Sequence, residues 1–135
     1  MLGINLLAVI VAAVVAFVMG GLWYSPLLFG KAWLKLRGMD SAEAAGTKMG
    51  PPEILAEFIR GLIVAVVLAG FVVHLGVVNW LGAIYLGLAV WIGFQATSIV
   101  GSVIHEHYPL KLYAIHTGDA LTKTLVMALI LSVWR

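Results

Sequence analysis

The sequence contains no cysteine, which excludes disulfides, thiolate metal sites and cysteine nucleophiles. It also lacks a serine nucleophile elbow, a zinc-binding helix motif and a phosphate-binding loop, so an enzyme is the least supported class and we expect no cofactor. A net charge of +2 over 135 residues gives no support for nucleic acid as a partner. The chain must therefore be understood from its apolar character.

Charged residues are scarce, at 10% of the chain, whereas hydrophobic residues make up 63% and the mean hydropathy is +1.10. These values lie far from those of an average soluble domain and predict an integral membrane protein. Several spans of about 20 residues each use most of a chain of this length. We therefore expect a single membrane domain over residues 1–135.

The distribution of charge divides the chain into spans. No Asp, Glu, Lys or Arg occurs for 44 residues from Gly61 to Ile104, which would be about 66 Å of helix and too long for one crossing. Glycine and asparagine between Gly76 and Asn79 provide the turn. We predict an all-α integral membrane four-helix bundle, with spans at approximately 2–24, 53–75, 80–104 and 111–134.

A surface helix is predicted between spans one and two. Lys31 and Lys35 lie one turn apart, with apolar residues toward the other side, as in an amphipathic helix that rests on the membrane. We place this helix at about 27–37, followed by a loop over 38–51. The residues predicted to contact membrane lipids at the interface are Trp23, Tyr24, Lys31, Trp33, Lys35, Arg37 and Trp80.

Small residues recur every four positions in the first three spans, a spacing that allows close approach of helices. They are Ala8, Ala12, Ala16 and Gly20 in span one, Gly61, Ala65 and Ala69 in span two, and Ala89, Gly93, Thr97 and Gly101 in span three. These stripes are candidate contacts within the bundle, in a homo-oligomer or with a partner membrane subunit.

Basic residues flank the first and third connections, with Lys31, Lys35, Arg37, Lys48 and Arg60 near the first and Lys111 near the third. Because basic residues collect on the cytoplasmic side, both termini should be non-cytoplasmic. We expect a multi-pass protein of the bacterial inner membrane.

The most unusual stretch is in span four, where His116, Asp119 and Lys123 are spaced by three and four residues and share one helix face. A charge at the centre of a membrane helix costs about 2.5–3.5 kcal/mol on insertion scales. This cost predicts that the stripe is turned away from lipid.

Span three carries Gln95, Ser98 and Ser102 at depths that match the stripe, which predicts a polar seam between spans three and four. Glu57 and Arg60 of span two add charge at its cytoplasmic mouth. Such a seam suits an oligomeric transporter or channel-like module for a proton, an ion or a small polar solute. The alternative is a dry helix contact in a non-catalytic accessory or assembly subunit.

The connection His105-Glu106-His107 offers two histidines and a glutamate, but its spacing is weak evidence for metal and no third strong ligand is evident. We favour a solvated loop and predict no metal site.

The run Trp23-Tyr24-Ser25-Pro26-Leu27-Leu28-Phe29-Gly30-Lys31-Ala32-Trp33 resembles the signature of a bacterial four-span family, domain of unknown function 1761. Further similarities are Trp91-Ile92-Gly93-Phe94, the connection from Glu106 to Leu112, and Ile115-His116-Thr117-Gly118. The resemblance implies a small four-helix membrane protein. It implies no activity, substrate or catalytic residue.

Overall fold

A computed structural model describes residues 3–24, 51–107 and 109–134 of the chain. Within these ranges the protein contains four long helices and no strand. They are α1 (Leu6–Trp23), α2 (Pro51–His74), α3 (Trp80–Glu106) and α4 (Leu110–Val133). Each is long and apolar enough to cross a membrane, which confirms the predicted all-α, four-span fold. The predicted surface helix at 27–37, with Lys31, Trp33, Lys35 and Arg37, lies outside the described residues, as does the loop at 38–50.

Helix α1 begins four residues later than the sequence predicts. Gly3 has a φ of +70°, a left-handed conformation that glycine adopts easily. The Asn5 side chain accepts a hydrogen bond from the backbone N–H of Ala8 at 3.1 Å and so caps the helix. The apolar run therefore starts before the helix does.

The turn between α2 and α3 uses the residues that the sequence predicts. Gly76 has a φ of +67°, and the Asn79 side chain accepts a hydrogen bond from the N–H of Gly82 at 2.8 Å. At its other end α3 continues to Glu106, where His107 takes a left-handed conformation with a φ of 54°. That conformation ends the helix.

A π-helical segment, Trp91–Ala96, interrupts α3. The hydroxyls of Thr97 and Ser98 donate to the carbonyls of Gly93 and Phe94 at 2.9 and 2.6 Å. The sequence analysis treats this span as one regular helix and misses the segment, because a π-turn has no residue marker comparable to proline. Such turns are frequent at functional sites.

Helix α4 is the centre of the bundle, since it packs against each of the other three helices. Helix α1 also packs against α2. By contrast, α2 and α3 make no extended contact with each other among the described residues, although one short turn joins them. The apolar core between α1, α2 and α4 includes Val9, Leu68, Val72, Met127 and Leu131, each at most 4% exposed.

Two of the predicted small-residue stripes pack within the chain. Ala8, Ala12 and Ala16 of α1 are at most 3% exposed, and so are Ala65 and Ala69 of α2. Their short side chains let α1 and α2 approach closely. This packing closes the half of the bundle that lies next to the α2–α3 turn.

The stripe predicted for α3 does not pack against the other described helices. Ala89, Gly93 and Thr97 are exposed, whereas Ala83 and Gly87 are buried on another face. At Gly87 an added Cβ would lie 2.8 Å from Cδ2 of Leu125, so the missing side chain admits α4. Helix α3 carries small residues on two faces, and spacing alone does not select the packed one.

Candidate functional site

A cleft of about 630 Å³ lies between all four helices, in the half of the bundle away from the α2–α3 turn. Its lining includes every residue predicted for the polar seam: Glu57, Arg60, Gln95, Ser98, Ser102, His116, Asp119 and Lys123. The sequence analysis places the seam between spans three and four alone. In the structure α1 contributes apolar residues to a further wall, namely Ala13, Ala16 and Phe17.

Four charged side chains form one continuous network along the cleft. Arg60 Nη2 lies 2.8 Å from Glu57 Oε1, Lys123 Nζ lies 3.9 Å from the same oxygen, and Lys123 Nζ lies 3.1 Å from Asp119 Oδ2. The signs alternate along the network and sum to zero. The sequence predicts the Asp119–Lys123 pair, one turn apart on α4, but not its extension to Glu57, because sequence spacing does not report contacts between helices.

The network runs from the surface into the bundle. The Arg60 side chain is 72% exposed, whereas those of Lys123 and Asp119 are 15% and 11% exposed. Taking an unpaired charge out of water costs several kcal/mol, so the inner pair depends on its own attraction and on Glu57. The outer arginine keeps its contact with solvent or headgroups.

Gly20 of α1 provides the space that the Lys123 ammonium occupies. A Cβ at this position would lie 2.7 Å from Nζ and 2.9 Å from Cε of Lys123. Any larger residue would therefore push the ammonium aside. The sequence analysis counts Gly20 among small packing residues, but here it admits a charged group.

Uncharged polar groups line the opposite wall. Thr124 Oγ1 donates a hydrogen bond to Gln95 Oε1 at 2.8 Å, and Gln95 belongs to the π-helical segment. The amide nitrogen of Gln95 and the hydroxyl of Ser102 have no hydrogen-bond partner among the described residues, and both residues line the cleft. These two groups are available to a bound molecule.

Two indoles hold α4 from either side. Trp23 Nε1 donates to the Ile115 carbonyl at 2.9 Å, and Trp91 Nε1 donates to the Thr117 carbonyl at 2.8 Å. Close by, a Cβ on Gly118 would lie 2.9 Å from Cζ2 of Trp23, so only glycine leaves room for this ring. The hydrogen bonds set the position of the stripe that begins at His116.

The structure changes the interpretation of Trp23 and Tyr24. The sequence predicts both at the lipid headgroups, but both side chains contact α4, where the Tyr24 hydroxyl is hydrogen-bonded to Nδ1 of His116. An aromatic residue after an apolar run is typical of an interface, and nothing near it in the sequence indicates a partner 92 positions away. Trp80, also predicted at the interface, is 62% exposed.

Comparison with known proteins gives one match. The family described as "Protein of unknown function (DUF1761)" matches residues 7–132. The chain belongs to this family. No curated protein and no solved structure matches the chain.

The DUF1761 match includes α1 to α4 almost completely, and all the residues that line the cleft lie inside it. In this DUF1761 protein, no three histidine, aspartate or glutamate side chains among residues 3–24, 51–107 and 109–134 are arranged to hold a metal ion. His105 and His107 are exposed at the end of α3, and Glu106 is exposed at the edge of the cleft.

Proposed function

We propose that the protein is an oligomeric transporter or channel-like module of the bacterial inner membrane, acting on a proton, an ion or a small polar solute. The observation that carries the proposal is the charged network on the wall of the cleft. Ionisable groups inside a membrane bundle are expensive and mark pathways of ions and solutes. A cleft of this volume also falls in the range typical of small-molecule sites.

The shape of the cleft supports a site that opens toward one side. Glu57, Asp119 and Lys123 occupy the half of the bundle near the first connection, whereas buried Leu68 and Leu131 close the other half. Passage across the bilayer therefore requires a second conformation or a second copy of the chain. This requirement favours an oligomer.

The proposed orientation follows from the basic residues. Arg60 and Lys111 lie at the same end of the bundle as the cleft, and basic residues favour the cytoplasmic side. The cleft would then open toward the cytoplasm, with both termini on the opposite side. A reporter protein attached at either terminus tests this orientation, and a cytoplasmic signal contradicts it.

The transport proposal is tested by flux into liposomes that contain the purified protein and a pH-sensitive dye, followed after a step in proton, ion or solute concentration. We expect Asp119→Asn and Lys123→Met to lower the flux by about tenfold or more, since the first leaves Lys123 only its longer contact with Glu57 and the second leaves Asp119 without its ion pair. The matched controls are Glu53→Gln and Lys111→Met, which remove exposed charges outside the cleft. Equal flux in all four variants contradicts the proposal.

A second candidate is a non-catalytic accessory or assembly subunit of a larger membrane complex. It is favoured by the exposed face of α3, where Ala89, Gly93 and Thr97 have the four-residue spacing of a helix contact but no partner within residues 3–24, 51–107 and 109–134. Extraction in mild detergent followed by mass measurement distinguishes the two. A heteromeric complex supports the accessory role, and a homo-oligomer supports the transporter.

A further inference from the structure

The cleft has a lateral gap between α2 and α3. In the part of the chain that the structure describes, these helices make no extended contact, although both line the cleft. Gly61 on one edge has no heavy atom within 4 Å of an added Cβ, and Ser98 on the other edge is exposed. Gly61 lies about 15 Å along α2 from its first residue, and Ser98 about 12 Å along α3 from its last. The gap therefore faces the side of the bundle, where lipid chains lie.

The charges of the cleft restrict what can bind there. Arg60, Glu57, Lys123 and Asp119 already sum to zero. A ligand with a net charge would bring an unbalanced charge into a region of low dielectric, which is costly. A ligand with one positive and one negative group can pair with the network and leave the sum unchanged. Glu106 also lines the cleft, but it makes no ion pair with these four side chains, and at the exposed end of α3 its carboxylate keeps its contact with solvent.

The other groups of the cleft complement such a ligand. The Gln95 amide nitrogen is a free donor and the Ser102 hydroxyl a free donor and acceptor. Phe17, Val64 and Met127 add apolar surface. The lining thus combines a region for charged groups with a region for hydrocarbon. The gap between α2 and α3 connects the cleft to the lipid.

We propose that the cleft binds a zwitterion, with its ammonium on Asp119 and Glu57 and its anionic group on Lys123 and Arg60. The zwitterion carries an apolar chain and enters sideways between α2 and α3. This inference rests on the proposed function, because it names the class of solute that the same cleft would transport. The binding itself does not require transport.

The first test measures the binding of four radiolabelled probes to the full chain in phosphatidylglycerol nanodiscs. Glycerophosphoethanolamine is a soluble zwitterion, lysophosphatidylethanolamine is its single-chain amphiphile, and ethanolamine and glycerol phosphate carry one charged group each. We expect both zwitterions to bind more tightly than the two singly charged probes. No binding of either zwitterion, or equal binding of a singly charged probe, overturns the proposal.

Charge variants identify the ligand class independently. For a zwitterion, Asp119→Asn and Lys123→Met each weaken binding by about tenfold or more, because each removes one of the two partners of a ligand charge. Tighter binding in Lys123→Met would indicate a cation site, and tighter binding in Asp119→Asn an anion site. Either result overturns the proposal. Glu53→Gln and Lys111→Met serve again as controls and should leave the affinity unchanged.

The two zwitterions also distinguish the source of the ligand. Tighter binding of lysophosphatidylethanolamine than of glycerophosphoethanolamine supports entry through the gap. Gly61→Leu, which narrows the gap, should then weaken the binding of lysophosphatidylethanolamine more than that of glycerophosphoethanolamine. Equal affinities support a soluble zwitterion and overturn lateral entry. Zwitterion binding without flux contradicts the transport proposal alone. Flux without zwitterion binding contradicts the present inference alone.

Discussion

Replacement of Gly118 by alanine tests the contact that holds α1 against α4. The new Cβ would lie 2.9 Å from Cζ2 and 3.3 Å from Cη2 of Trp23, whereas carbon atoms pack best at about 3.5–4.0 Å. The ring must therefore move by about 0.6 Å or more. It cannot do so freely, because its Nε1 is hydrogen-bonded to the Ile115 carbonyl at 2.9 Å.

The expected cost follows from three contributions. Overpacking costs about 1–3 kcal/mol, and loss of the indole hydrogen bond adds about 1 kcal/mol. Alanine in place of glycine inside a helix raises the free energy of unfolding by about 1 kcal/mol. We therefore expect Gly118→Ala to lower the free energy of unfolding by about 1–3 kcal/mol.

The matched control is Gly101→Ala, on α3, where an added Cβ meets no heavy atom within 4 Å. It has only the favourable contribution, so the two variants should differ by about 2–4 kcal/mol. Unfolding in sodium dodecyl sulfate, followed by circular dichroism, measures the difference. Equal free energies of unfolding for the two variants would contradict a clash between residue 118 and the Trp23 ring. In a Trp23→Phe background the clashing ring atoms are absent, so Gly118→Ala should then cost little.

Two further substitutions test the cleft. Gly20→Ala should displace the flexible end of Lys123, which lies 2.7 Å from the position of the added Cβ. The flux should therefore fall, while the free energy of unfolding rises by no more than the roughly 1 kcal/mol that alanine contributes in a helix. An unchanged flux would show that the ammonium position is unimportant. Thr124→Val should destabilise the chain by about 1–3 kcal/mol, because it leaves Gln95 Oε1 without its donor. Thr122→Val, which removes a hydroxyl bonded only to its own helix, should cost less in the same unfolding assay.

The four spans were predictable because each is a continuous apolar run between turn signals. Charged residues are scarce within the spans and frequent between them. Gly76 and Asn79 mark the turn between α2 and α3 that the structure contains. The residues of the cleft were predictable for a related reason. Exposing Asp119 and Lys123 to lipid is so costly that they must face the interior of the bundle.

Contacts between helices were not predictable from spacing. Trp23 follows an apolar run, as interface residues do, but its partner is a carbonyl 92 residues away. Small residues lie on two faces of α3, and either face could pack against another helix. In the structure Leu125 of α4 packs against the face that contains Gly87. The π-helical segment that contains Gln95 also has no signature in the amino-acid sequence.

The paired indole bonds on α4 have a mechanical consequence. Trp23 and Trp91 grip the carbonyls of Ile115 and Thr117 from two different helices. A translation or rotation of α4 would break both hydrogen bonds at once, so α4 is held in a fixed position relative to α1 and α3. The part of α3 beyond the π-helical segment, Thr97–Glu106, has no buried residue to restrain it. We therefore expect a change of shape to displace this segment of α3 rather than α4.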